Sequence, residues 1–216
     1  MRQPLEEGLR TLIELLGQME HEVENILNGA ITSLKALDRN QAERWISADE
    51  YVNSLESKVN EECIRLIVTQ QPVASDMRKI ISAMKIATDL ERMGDLAVDI
   101  AKVVKRIDGP LIKPLIDVPK MADLATRMMR QGLIAFERED AVLAQELADL
   151  DDQTDQLNRT VMVELLGMMT YEPRMINQGM YLSFVARYIE RIADHATNIG
   201  EHVFYVVKGE RKDLND

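Results

Sequence analysis

Residues 89–101 read DLERMGDLAVDIA, and residues 188–200 repeat the pattern as YIERIADHATNIG. Glu91, Arg92, Asp95 and Ile100 of the first copy recur in the second copy, each 99 residues later. Chance placement of one charged and apolar pattern in two otherwise divergent segments is improbable. The repetition indicates that the chain is a tandem duplication and that this stretch organises both halves.

Both copies lie in longer patterns of helical period. The apolar positions advance by four, three, four, three and four residues, which keeps them on one face of an α-helix. In the first copy these positions are Ile86, Leu90, Met93, Ala97, Ile100 and Val104, and in the second Val185, Ile189, Ile192, Ala196, Ile199 and Val203. We therefore expect two long helices that bury these stripes in the core.

The remaining sequence predicts six helices in an all-α fold. Apolar periodicity places helices near residues 4–37, 40–69, 73–107 and 119–136, a fifth ending near 169, and a sixth opened by Pro173 and ending near 208. Asn40 followed by Glu43 resembles a capping box for the second helix. The polar tail from Gly209 to Asp216 is expected to fray.

Further matches between the two parts of the chain support the duplication. Residues 34–37 match residues 133–136, and Pro72 matches Pro173. Prolines concentrate between residues 109 and 118, where we expect a linker. The sequence thus predicts a three-helix bundle over residues 1–108 and a second over residues 119–216.

Acidic residues form a row on each of the two repeated helices. Residues four apart on a helix differ by about 40° in direction, so each row follows one face beside the apolar stripe. The rows are Glu91, Asp95 and Asp99 in the first copy and Glu190, Asp194 and Asn198 in the second, which thus ends in a neutral amide. Like charges at this spacing cost roughly 0.2–0.5 kcal/mol per pair, and a bound cation would offset that repulsion. These residues are candidate metal ligands; the alternative is a solvated charged face.

The second and fifth predicted helices add oxygen donors at the same spacing. Asp49 and Asn53 are four residues apart, with Glu50 and Glu56 nearby. The pair Asp151 and Asp155 repeats this spacing, beside Asp152 and Asn158. Antiparallel packing of neighbouring helices would bring these groups to the acidic rows, and we include the two pairs among the candidate metal ligands. Acids in an early helical turn also complement the helix dipole, which is the alternative interpretation.

The composition and charge of the chain exclude some classes of function. The chain has 216 residues, a formal net charge of −11 and few aromatic residues, which is typical of a helical bundle. Binding to nucleic acid or to an anionic membrane surface requires a basic patch, so neither is expected. No apolar run is long enough to insert into a membrane, and we expect a cytoplasmic protein. Cys63 is the single cysteine and is interpreted as a helix core residue.

Two three-helix halves, each with a Glu-Arg-x-x-Asp motif on its third helix, resemble the PhoU family over essentially the whole chain. The motif residues that carry the resemblance are at positions 89–95 and 188–195. The resemblance implies metal ions as cofactors, with iron, zinc, manganese and magnesium as candidates, and a homodimer. It also implies a negative regulator of the phosphate-starvation response. Its expected partners are the ATPase subunit of a phosphate ABC transporter and a two-component histidine kinase.

Two other functions remain open at this point. Carboxylate-rich helical bundles include di-iron enzymes, but those use a Glu-x-x-His motif, which this sequence does not contain. Of the three histidines, His21 and His202 are expected at the surface, whereas His195 follows Asp194 and could lie near an acidic row. A plain helical scaffold that binds no metal is the other alternative.

Overall fold

The computed structural model describes residues 3–210 and 212–214, which form six long α-helices. Met1, Arg2, Arg211, Asn215 and Asp216 lie outside the described residues. The helices are α1 (Gln3–Ala36), α2 (Arg39–Gln70), α3 (Ala74–Arg106), α4 (Asp117–Arg138), α5 (Ala141–Tyr171) and α6 (Ile176–Lys208), with one 3-10 turn (Pro173–Met175) before α6. No strand occurs in the described residues, so the prediction of an all-α fold is confirmed.

The two halves meet along α3 and α6. Within the first half α3 packs on α1 and α2, and within the second α6 packs on α4 and α5. Arg78 near the start of α3 bonds the carbonyl oxygen of Val206 near the end of α6, so the two helices run antiparallel. The predicted core positions are fully buried along this axis: Leu90, Met93, Ile100, Ile189, Ile192 and Ile199.

The turns that begin α2 and α5 have the same construction. Asp38 accepts hydrogen bonds from the backbone N–H groups of Asn40 and Gln41 at 3.0 and 2.9 Å. Asp140 accepts equivalent bonds from Val142 and Leu143 at 2.9 and 3.0 Å. The predicted capping box at Asn40 and Glu43 was therefore wrong by two residues, because Asp38 already supplies the acceptor that the helix start needs.

The segment between the halves is fixed by α6. The backbone N–H of Ile112 donates to Gln178 Oε1 at 2.5 Å, and Gln178 Nε2 donates to the carbonyl oxygen of Pro110 at 3.1 Å. Lys113 forms an ion pair with Glu164 of α5. These bonds satisfy backbone groups that no helix satisfies, so the predicted linker packs against the second half.

The described part of the tail is also anchored, which corrects the prediction that it frays. Leu214 is buried, and its backbone N–H donates to Glu201 Oε1 at 3.1 Å. The Lys212 ammonium lies 4.8 Å from the centre of the Phe204 ring. The buried Leu214 side chain, the hydrogen bond to Glu201 and the Lys212–Phe204 contact together hold this segment on α6. Among the described helices, none combines the length and apolar character needed to span a bilayer.

Candidate metal centres

The packing of α2 on α3 and of α5 on α6 brings the acidic rows together in pairs. We define the first-half cluster as Asp49, Asn53, Glu56, Glu91, Asp95 and Asp99. The second-half cluster is Asp151, Asp155, Asn158, Glu190 and Asp194. The carboxylates within each cluster lie close enough to repel one another. In the first-half cluster Asp49 interacts with Asp95 and Asp99, and in the second-half cluster Asp151 interacts with Asp194 and Glu190. The structure thus brings together every predicted ligand except Asn198.

Basic and amide side chains from the same helices contact the first-half cluster. Lys102 Nζ lies 2.8 Å from Asp99 Oδ1, and Arg92 lies 3.4 and 3.5 Å from the carboxylate oxygens of Glu91 and Asp95. The amide of Asn53 donates to Asp49 Oδ2 at 3.3 Å. Thr88 Oγ1 donates to Glu56 Oε1 at 3.1 Å. Each carboxylate of this cluster therefore has a polar contact, but only two cations among the described residues, Arg92 and Lys102, face its five negative charges.

The carboxyls of the first-half cluster are only partly buried. Burial raises the pKa of Asp49, and the nearby Asp95 carboxylate acts in the same direction. Burial followed by Asp95 likewise raises the pKa of Glu91, while Arg92 opposes the shift. The side chain of Asp95 is 44% exposed, so water solvates much of its charge.

The carboxyls of the second-half cluster are more deeply buried, and two arginines pair with them: Arg187 with Glu190, and Arg159 with Asp155 at 3.5 Å. Burial raises the pKa of the Asp151 carboxyl to about 7, and the Asp194 carboxylate adds to the shift. Burial and then Asp194 raise the pKa of Glu190 to about 7, although Arg187 contacts its Oε1 atom. The pKa of Asp194 is raised as well, again mainly by burial. Burial is the main cause of these raised pKa values, and Arg187 and Arg191 oppose it at Glu190 and Asp194.

Four buried oxygen atoms of these clusters have no hydrogen-bond partner within the described chain. Three belong to the second half: Asp151 Oδ1, Asn158 Oδ1 and Glu190 Oε2. The fourth is Asp49 Oδ1 of the first half. Buried polar atoms normally have a hydrogen-bond partner, and a water or an ion would supply one for these oxygens. Asn158 was noted in the sequence only as a neighbour of Asp155, yet it supplies one of the four.

Asn198 lies on a different surface from the other predicted ligands. Its side-chain amide donates to Asp89 Oδ1 of α3 at 3.1 Å. Each step of four residues along α6 rotates the side-chain direction by about 40°. From Glu190 to Asn198 the row therefore turns away from α5 and towards α3. We therefore leave Asn198 out of the second-half cluster.

The Asp89 carboxylate also contacts the two histidines of α6. His195 Nδ1 lies 2.9 Å from Asp89 Oδ1, and His202 Nε2 lies 3.2 Å from Asp89 Oδ2. Burial alone would raise the pKa of Asp89, but hydrogen bonds from His195, His202 and Asn198 outweigh it and lower the pKa. The expectation that His202 is a surface residue was wrong, since its side chain is only 17% exposed. His21 is exposed as expected.

The arrangement and chemistry of the oxygen atoms in the two clusters show whether they fit a metal ion. In the part of the chain that the structure describes, no three His, Cys, Asp or Glu side chains are already arranged to hold one. Without a cation, clustered carboxylates repel each other, and side-chain rotations would be needed to close them around an ion. The donors are carboxylate and amide oxygens, which hard cations such as Mn²⁺ and Mg²⁺ prefer. Together with the unpaired buried oxygens, this chemistry fits a hard cation.

Comparison with known proteins places this geometry in a family. The sequence profile described as PhoU domain matches residues 16–104 and again residues 118–203. The chain belongs to the PhoU family. A PhoU homolog of Clostridium acetobutylicum, named as a phosphate-specific transport system accessory protein, is 35% identical over 100% of this chain and 99% of its own length. One from Pseudomonas putida with the same description is 37% identical over 95% of this chain and 79% of its own length.

Solved structures agree with the family assignment. The crystal structure of PhoU from Pseudomonas aeruginosa has a TM-score of 0.88 at 33% identity, covering 97% of this chain and 100% of that one. The phosphate transport system regulatory protein PhoU from Streptococcus pneumoniae has a TM-score of 0.90 at 30% identity, covering 97% and 99%. The similarity spans both halves and all six helices. The predicted membership of the PhoU family is confirmed.

Proposed function

We propose that this PhoU protein is a metal-binding negative regulator of phosphate uptake and of the phosphate-starvation response. The observation that carries the proposal is the match over the whole chain to proteins named as accessory or regulatory components of phosphate-specific transport. The family match covers both halves of the chain. We place the protein in the cytoplasm, where the transporter's ATPase subunit is accessible.

The proposed partners are the ATPase subunit of a phosphate ABC transporter and a two-component histidine kinase. Coupling of the two would let the state of the transporter set the activity of the kinase. The net charge of −11 favours partners with basic surfaces, because complementary charge speeds encounter. A homodimer would present two copies of each surface. The metal ions would rigidify the α2/α3 and α5/α6 faces by cross-linking carboxylates on neighbouring helices.

A non-enzymatic role suits the arrangement of the histidines. A di-iron enzyme needs histidine donors beside its carboxylates. Here His195 and His202 are directed towards Asp89 at the junction of α3 and α6. The relatives are also named for accessory and regulatory roles. We therefore favour regulation by binding.

Deletion of the gene in phosphate-replete medium tests the regulatory role. A reporter of phosphate-starvation transcription should rise in the deletion strain and return to its low level when the wild-type gene is restored. Unchanged reporter activity after deletion would refute negative regulation. Co-purification of the protein with the ATPase subunit and with the kinase cytoplasmic domain, each tested separately, would show which partner binds directly.

A further inference from the structure

The groove between α5 and α6 differs in character from the equivalent groove between α2 and α3. Alignment of the two halves places three polar residues of the first groove opposite three apolar residues of the second: Asn60 opposite Met162, Glu61 opposite Val163, and Lys85 opposite Phe184. Because both pairs of helices pack in the same way, the fold does not require apolar side chains at these positions. Their presence in one half only indicates a role for this surface that the other half does not share.

Exposed apolar side chains form one continuous face along α5 and α6. We define the apolar face by six residues, each between 41% and 73% exposed: Met162, Val163, Leu166, Ile176, Met180 and Phe184. The three residues from α6 recur every four positions and so share one side of that helix. Five of the six line a groove of about 470 Å³ between the two helices. Val163 and Leu166 are the most exposed and form its rim, so the face has both a ridge and a hollow.

Arginines border the apolar face, and each is paired with an acid close to it in sequence. The pairs are Arg159 with Asp155, Arg187 with Glu190, and Arg174 with Glu172. The arginine side chains are 57–89% exposed, so several of their donors face solvent. A partner surface of one sign would meet a like charge at every pair. A second copy of this chain, turned by 180°, presents the same pairs in reverse order and lets arginines meet acids.

The size of the surface also suits a second copy. A single partner helix would fill the groove alone, but the apolar face extends beyond the groove to Ile176 and to the bordering arginines. The outward sides of α5 and α6 near the apolar face, with the turn between them, offer roughly 20 residues, and a stable interface uses about 20–30 residues on each side.

We propose that the apolar face on α5 and α6 is the contact between two copies of this chain related by a two-fold axis. Val163 and Leu166 of one copy enter the groove of the other, and the bordering arginines pair with acids across the contact. This inference rests on the homodimer included in the proposed function and assigns it a surface. The contact uses no residue of the first half, so both first halves remain exposed for other partners.

Light scattering of the full-length protein after size-exclusion chromatography tests the position of the contact. The wild type should have twice the chain mass of 24.6 kDa. The double variant Val163→Glu with Phe184→Lys should raise the Kd of the dimer about hundredfold or more, because it places charges at the centre of the contact. The control, Val68→Glu with Ile64→Lys, makes matching charge changes at exposed apolar residues of α2 and should leave the dimer intact.

Spin labels give a second measurement that leaves the contact undisturbed. Single cysteines at the exposed positions Thr160 and Lys58, which correspond in the two halves, can be labelled selectively because the native Cys63 is buried. The distance between the labels of the two copies should be much shorter for Thr160→Cys than for Lys58→Cys. This comparison decides the matter if the charged variant loses its helical circular dichroism.

The outcomes separate the inference from the proposed function. Dissociation by the control as strongly as by the second-half variant, or by neither, would overturn the position of the contact and leave the homodimer intact. A wild type that is monomeric at every concentration would overturn both. A monomer whose second-half variant no longer co-purifies with the transporter ATPase subunit would assign the apolar face to that partner and overturn the inference. Negative regulation is tested by gene deletion whatever the oligomeric state.

Discussion

Asp89 of α3 accepts a hydrogen bond from the side-chain amide of Asn198 of α6, with 3.1 Å between the oxygen and the nitrogen. The contact joins residues of different halves, and His195 and His202 converge on the same carboxylate. Asp89 thus links three polar side chains at the junction of the two repeats.

Replacement of Asp89 with Ala should destabilise the protein by about 2–4 kcal/mol, because it leaves several largely buried polar groups without their acceptor. Urea denaturation followed by circular dichroism measures the change. Asp123→Ala, at an exposed acid on α4, is the matched control and should stay within about 0.5 kcal/mol of wild type. Equal effects of the two substitutions would show that the junction contributes little.

The caps of α2 and α5 allow a second test. Asp38→Ala and Asp140→Ala each remove a side chain that accepts two backbone hydrogen bonds. Each should lower the free energy of unfolding by about 1 kcal/mol, and the two values should agree because the turns have the same construction. Asn40→Ala should cost less, since Asp38 is the cap. A larger loss for Asn40→Ala would contradict this assignment.

Cys63 provides a test of packing between α2 and α3. The thiol is buried, lies 3.6 Å from the carbonyl oxygen of Ile80, and burial raises its pKa to about 12. Because the thiolate is the reactive form, the folded protein should react with a disulfide reagent far more slowly than the protein in urea. Rapid modification under native conditions would show that this part of the core opens readily.

Periodicity in the sequence was sufficient to predict the six helices, their order and the buried stripes. It also indicated which carboxylates share a helix face. It could not locate the partners of Asp89, because those contacts depend on how α3 crosses α6 and not on spacing within either helix. For the same reason, spacing within α6 could not show that the side-chain amide of Asn198 contacts Asp89. The buried tail depended on one apolar residue, Leu214, whose burial no local pattern indicates.

The pairing of the two acidic clusters with basic side chains was also beyond sequence analysis. The structure shows Lys102 paired with Asp99 in the first half, and Arg159 and Arg187 paired with Asp155 and Glu190 in the second. Glu190 Oε2 is nevertheless buried and has no hydrogen-bond partner within the described residues. Which carboxylate is paired with a basic side chain depends on the rotamers of both side chains, and these are set by the packing of the helices.

The central claim is that the duplicated clusters bind metal, and thermal unfolding with and without Mn²⁺ tests it most directly. The comparison uses wild type and the double variant Asp95→Asn with Asp194→Asn. Without metal the variant should be slightly more stable, by a few tenths of a kcal/mol per relieved repulsion. Saturating Mn²⁺ should stabilise the wild type by about 2.7 kcal/mol at a concentration of about one hundred times the Kd, and should leave the variant almost unchanged. Equal stabilisation of both proteins, or of neither, would contradict the claim.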